Sequence, residues 1–144
     1  YDYIRASVGR PVTGMQIDTA LMKFLVGLDP EKLDLLLQLR GDYRVFMLSN
    51  TNPIMMEYIP GLSFAQRGLA MYDYFDALFL SYNMGMLKPE LEIYLKMLSA
   101  GEMAAGETLF LDDGEANVEA ARELGIRSLL VTPGEDLSLL LGLK

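Results

Sequence analysis

The stretch LFLDDGEAN, residues 109–117, sets two adjacent carboxylates, Asp112 and Asp113, behind three apolar residues and ahead of a small, helix-favouring run. Two acids at the end of a buried strand repel each other, and such a pair is tolerated where a cation neutralises it. Mg²⁺ suits them, because it takes one or two carboxylates and completes its shell with water and substrate phosphate. Placement for a helix macrodipole is the competing reading, and it does not account for two acids in succession. Upstream, Ser49-Asn50-Thr51-Asn52-Pro53 puts a hydroxyl and amides at the mouth of a helix. Free N–H groups there form an anion site to which Ser49 could add a donor, although the same residues would also serve as simple caps. In YNMGMLKPE, Lys88 stands immediately before Pro89. Proline at the first helical position would leave Lys88 pointing back over the strand ends; taken singly, it is an ordinary solvated charge.

These residues need elements to position them. Four short apolar runs rich in strand formers, YRVFML (43–48), ALFLS (77–81), TLFLDD (108–113) and RSLLV (127–131), are each followed by a turn signal. Between them lie helical patterns: Pro53 to Tyr58, Pro89 to Leu98 with Leu91, Tyr94, Leu95 and Leu98 on one face, and Glu115 to Leu124 ended by Gly125. Strands apolar on both faces that alternate with helices predict parallel βαβ units. The fold class is therefore α/β, a Rossmann-like parallel sheet with helices on both faces. Ahead of it, Ile17, Leu21, Phe24 and Leu25 recur at helical spacing, and Asp29, Pro30 and Gly41 supply a cap, a first position and a stop. In such sheets ligands sit outside the carboxyl ends of the strands. Hydroxyl, ammonium and acid pair thus converge on one rim, with the parts needed to stabilise phosphoryl transfer electrostatically.

Composition narrows the chemistry further. A net charge of −8 with only 12 Lys and Arg in 144 residues argues against a nucleic acid or an anionic membrane as partner. With neither cysteine nor histidine, thiolate catalysis, disulfides and imidazole proton transfer are excluded, so catalysis must use carboxylates, hydroxyls, amides, Lys and Arg. Hydrophobic residues make up 51% of the chain, ample for a core, and the ten methionines read as gap-filling core residues. No apolar run spans a bilayer and no signal peptide opens the chain, so a cytoplasmic location is expected. The opening YDYIRASVG reads as part of a helix, and the chain is expected to be cut from something longer.

The ordered motifs RVFMLSNTNP, GMLKPELEIY and TLFLDDGEANVEAARELGIRSLLV resemble the second, third and fourth motifs of the haloacid dehalogenase superfamily, in its phosphatase-like class with a helical cap. The resemblance implies that Ser49 and Asn50 hold the transferring phosphoryl group and that Lys88 stabilises its charge. It implies that Asp113 binds Mg²⁺, that Asp112 assists through a water, and that Asn117 supports them from the next helix. Receiver domains combine similar groups, but there the acid pair follows the first strand, whereas here it comes last. True dehalogenases of the superfamily need no metal, so the acid pair favours the phosphatases.

The family's first motif, whose leading Asp is the nucleophile, has no counterpart in the chain. Asp18, Asp29, Asp34 and Asp42 lie in or beside the helical portion, and Asp73 and Asp76 belong to the run YDYFDALF. Residues 1–41 are then expected to be a remnant of the cap and 42–144 the core without its central strand. The expected function is an Mg²⁺-dependent phosphatase acting on a small phosphomonoester through an aspartyl-phosphate, present as an inactive fragment. The alternative is a non-catalytic module that binds phosphate and metal. The expected partners are a small phosphorylated metabolite and, at the open sheet edge, a second copy or a separate N-terminal fragment.

Overall fold

In the computed structural model, residues 1–143 are described except Phe24 and Val26, so the helical periodicity assigned to Phe24 lies outside the described residues, as does Lys144. Helices α1 (Asp2–Val8), α2 (Gly14–Met22) and α3 (Pro30–Leu39) precede the first strand. Their ends follow local chemistry. Thr13 Oγ1 accepts from Gln16 N at 3.2 Å and Gln16 Oε1 accepts from Thr13 N at 2.9 Å, closing a capping box on α2. Asp29 accepts from Glu31 N at 3.0 Å ahead of Pro30, and α3 stops just before Gly41.

Strands β1 (Phe46–Ser49), β2 (Ala77–Leu80), β3 (Leu109–Asp112) and β4 (Arg127–Leu130) alternate with α4 (Pro53–Ile59), the short α5 (Ser81–Met84), α6 (Leu91–Ala100) and α7 (Glu115–Glu123), and α8 (Leu137–Leu140) closes the order. All pairing is parallel. β1 pairs with β2, with Ser49 opposite Leu80, and β3 pairs with β4, with Asp112 opposite Leu130. The four strands therefore form two ladders, and among the described residues no strand lies between β1 and β3.

Side-chain alternation gives each face of β1 its own core. Phe46 and Leu48 pack with Phe79, Ile93, Tyr94, Met97 and Phe110 under α6, whereas Val45 and Met47 face Leu33, Phe64, Met71, Tyr74 and Phe75. The first cluster takes side chains from β1, β2 and β3, so α6 roofs both ladders although their backbones do not pair. Helices on both faces are what parallel strands require.

Three details differ from the sequence reading. Leu95 is 52% exposed, because Ile93, Tyr94, Met97 and Leu98 form the buried face of α6. Pro89 does not begin that helix: Glu90 N donates to Leu87 O at 2.8 Å, which puts Lys88 and Pro89 in the middle of a turn, and the helix starts at Leu91. The strands are also less buried than expected, with Leu109 at 43% and Leu130 at 40% exposed. No helix among the described residues is long and apolar enough to cross a membrane.

The core assignment yields a stability test. Ile93, fully buried, should lose about 3 kcal/mol on replacement by Ala, whereas Leu139, 64% exposed, should lose under about 0.5 kcal/mol, both read from chemical denaturation.

Candidate functional site

The carboxyl ends of β1 and β3 are joined by one side chain. Lys88 Nζ donates to Leu48 O on β1 at 3.0 Å and to Asp112 Oδ2 on β3 at 2.6 Å. Its side chain is 9% exposed and that of Asp112 6%, so this is a largely desolvated ion pair, and the ammonium lies 5.6 Å from the centre of the Phe110 ring. The turn through Lys88 and Pro89 creates this placement by aiming the lysine across the gap instead of along α6.

Asp112 is held on every side. Its Oδ1 accepts from Gly114 N and from Asn117 Nδ2, each at 2.8 Å, while Oδ2 takes Lys88. Burial alone would raise its pKa; hydrogen bonds from Lys88, Asn117 and Gly114 outweigh that effect and hold it below the ordinary carboxylate value. Tyr94 supports the arrangement from beneath. Its hydroxyl donates to Asn117 O at 2.9 Å, its ring meets Phe110 edge-on at 5.5 Å, and burial, with the Asp112 charge, pushes its pKa to about 12. Gly114 leaves the space for this contact, since an added Cβ would stand 2.6 Å from Asn117 Nδ2 and 3.0 Å from Asp112 Oδ1.

On the β1 side, Ser49 ends the strand and is half-buried. Asn50 turns its side chain towards the lysine turn: Oδ1 accepts from Lys88 N at 2.9 Å and Nδ2 donates to Lys88 O at 2.8 Å. Thr51 is fastened to the end of β2, where Ser81 Oγ accepts from Thr51 N and donates to Thr51 O, both at 3.0 Å. Capping of α4 falls to Asn52, which accepts from Met55 N at 3.0 Å. The capping explanation therefore accounts for Asn52 and leaves Ser49 and Asn50 to other work.

Asp113, next in the chain to Asp112, is exposed, and among the described residues its carboxylate makes no hydrogen bond or ion pair. Asp112 is already held by three donors, so Asp113 is the carboxylate free to bind a cation directly. No group of three or more acidic side chains able to hold a metal occurs among the described residues. That donor set fits Mg²⁺, which accepts one or two carboxylates, and does not fit an ion that needs an all-protein cage.

Asp42 is exposed beside the end of α3, and the other candidate acids have structural duties. Asp29 and Asp73 cap backbone N–H groups, Asp34 pairs with Arg67, and Asp18 accepts from Tyr1. Asp76 accepts from Val45 N at 2.7 Å at the opposite end of β2. Near the rim, Glu90 accepts from Leu87 N in the lysine turn and Glu135 accepts from Thr132 N just past β4, so both are engaged with local backbone. The sequence reading missed Ser81, Tyr94 and Gly114 as rim residues. Tyr94 fits the apolar face of its helix by spacing alone, and the signal for Gly114 is a residue without a side chain between an acid pair and a helix.

Parallel strands roofed by helices define an α/β protein with a hydroxyl, a lysine and two aspartates along one rim. The chain belongs to the haloacid dehalogenase-like hydrolases: the model of that family matches residues 20–125. It is 38% identical over 128 residues to D-ribitol-5-phosphate phosphatase of Bacteroides thetaiotaomicron, covering 89% of this chain and 62% of that relative. A haloacid dehalogenase-family enzyme from the same species, solved with magnesium and inorganic phosphate, is 43% identical with a TM-score of 0.89, covering 96% of this chain and 70% of that one. A haloacid dehalogenase-like hydrolase structure from Porphyromonas gingivalis is 35% identical with a TM-score of 0.89, covering 98% and 69%. The chain thus spans about three-fifths of its curated relative's length.

Replacing Lys88 by Met strands the Asp112 carboxylate beside an apolar side chain and should cost about 3 kcal/mol at neutral pH. Because the folded pKa of Asp112 is depressed, the pair's contribution is complete above the ordinary carboxylate value of about 4 and fades as pH falls through the lower folded value. The stability gap between wild type and Lys88→Met should therefore narrow in acid, as read from denaturation at several pH values. Gly114→Ala should likewise cost about 1–2 kcal/mol by prising Asn117 from Asp112.

Proposed function

We propose that the chain supplies most of the active site of an Mg²⁺-dependent phosphomonoester hydrolase. The single observation that carries this reading is the Lys88 ammonium, held between β1 and the acid pair of β3 at 3.0 and 2.6 Å. A positive charge fixed on that rim is what a phosphoryl group entering with extra negative charge requires. In this reading Ser49 donates to a phosphate oxygen and Asn50 lines the same corner. Asp113 holds Mg²⁺, Asp112 fixes Lys88 and assists the metal through a water, and Asn117 braces Asp112. The metal, when bound, supplies positive charge to the phosphoryl oxygens.

The reaction requires one further element, carrying a carboxylate nucleophile that takes the phosphoryl group as the bond to the substrate alcohol breaks, and a second carboxyl that would protonate the departing oxygen and then take a proton from the water that releases inorganic phosphate and frees the nucleophile. We assign it to a strand that seats between β1 and β3, from an upstream segment of the same polypeptide or a second chain. The lack of pairing between β1 and β3 among the described residues supports this, since open edges in a parallel sheet are exposed to pairing with any available strand. Without that strand, residues 1–144 should turn over nothing. In the same reading residues 1–41 are the surviving part of a cap over the rim and 42–144 the core. The relative that acts on D-ribitol 5-phosphate favours a small sugar or polyol phosphate as substrate.

A module that only binds phosphate and metal is the second reading, favoured because Asp112 is held by Lys88, Gly114 and Asn117 rather than free to attack. Hydrolysis of p-nitrophenyl phosphate by the whole gene product separates the two. The enzyme reading expects Mg²⁺-dependent turnover that EDTA abolishes and that Asp113→Ala or Lys88→Met lowers at least about a hundredfold. Phosphate and Mg²⁺ binding with no turnover would establish the binding module instead.

A further inference from the structure

The geometry points to Asn50 as a positioning residue that sets the reach of Lys88, acting through the lysine's backbone. Both polar atoms of its amide are spent on one residue. Oδ1 accepts from Lys88 N at 2.9 Å and Nδ2 donates to Lys88 O at 2.8 Å. This is a two-point clamp of the kind one strand makes on another, provided here by a side chain 38 residues away in sequence. A single hydrogen bond would leave the peptide free to swing about it. Two bonds in opposite directions fix both position and orientation, and with them the direction in which the lysine side chain leaves the backbone.

That direction matters because Lys88 must meet two partners on separate ladders, Leu48 O and Asp112 Oδ2. No backbone pairing joins β1 to β3 among the described residues, so the strands themselves do not hold the lysine turn in register. The clamp is itself secured. Thr51, the next residue, is fastened at both N and O to Ser81, which is only 3% exposed at the end of β2. A continuous tie thus runs from the end of β2 through Thr51, Asn50 and Lys88 to Asp112, Asn117 and Tyr94. Asparagine suits the clamp because its amide offers one donor and one acceptor side by side. Aspartate would set a second acceptor against Lys88 O, and glutamine would carry the same pair one methylene too far.

The consequence for phosphoryl transfer rests on the function proposed above; the clamp itself does not, and the experiment keeps the two apart. In the unmodified chain, NMR should show a coupling across the hydrogen bond from Asn50 Nδ2 to the Lys88 carbonyl and a slowly exchanging Lys88 ammonium. In Asn50→Ala and Asn50→Asp, exchange of the Lys88 amide should accelerate about tenfold. The ammonium signal should disappear while amides of β3 and β4 keep their protection, a pattern that general loosening of the fold would not give. No coupling in the unmodified chain, or a Lys88 signal unchanged in both variants, overturns the clamp whatever the catalytic outcome. With the clamp established, Asn50→Ala in the whole gene product should lower kcat for p-nitrophenyl phosphate with little change in KM, and should add no further loss in a Lys88→Met background. An additional loss there would show that Asn50 acts other than through the lysine.

Discussion

The Lys88–Asp112 ion pair is the constraint on which the rest of the rim depends. It is largely withdrawn from water, and a charge in that position is stable only while its partner and surrounding hydrogen bonds remain. Asp112 meets the condition with Gly114 N and Asn117 Nδ2, and Lys88 meets it with Leu48 O and the Phe110 face. The pair also performs a task usually left to backbone. Two ladders that share no strand pairing among the described residues are joined at their carboxyl ends by one ammonium and beneath by the α6 core.

Because Asp112 is tied to three donors, the two acids of the pair divide their work. One is buried and committed to Lys88; the other is exposed and, among the described residues, uncommitted. Adjacent carboxylates that share a residue type therefore differ in chemistry by environment alone, the first an anchor for a cation of the protein and the second available to a cation from solution. Tyr94 and Gly114 show how far the support reaches. A tyrosine in the core and a glycine with no side chain both serve to keep one asparagine amide on one carboxylate oxygen.

Much of the arrangement is legible in the sequence. Helix starts at Asp29-Pro30 and Asn52-Pro53 follow from local capping chemistry, and the strand runs follow from apolar segments alternating with helices. Parallel strands carry their chemistry at one end, so the sequence alone groups Ser49, Lys88 and Asp112. What could not be read is three-dimensional direction. The family resemblance assigns Asn50 to the phosphoryl group, and only the fold brings the Lys88 backbone within reach of its side chain. Pro89 signalled a helix start by its type, yet the local turn displaced it. Leu95 fitted the helical period, but a position on the border of an apolar face can fall on either side of it.

The central claim is that the carboxyl-end rim around Lys88 seats a divalent cation at Asp113 beside a phosphate. Titration with Mn²⁺ in place of Mg²⁺, in the presence of inorganic phosphate and followed by paramagnetic broadening of backbone amides, addresses it directly. The account predicts early, saturable loss of the signals of Ser49, Lys88 and Asp113 while those of Asp76 and Arg127, at the opposite strand ends, stay sharp. Broadening spread over the acidic surface, or centred away from Asp113, would contradict it.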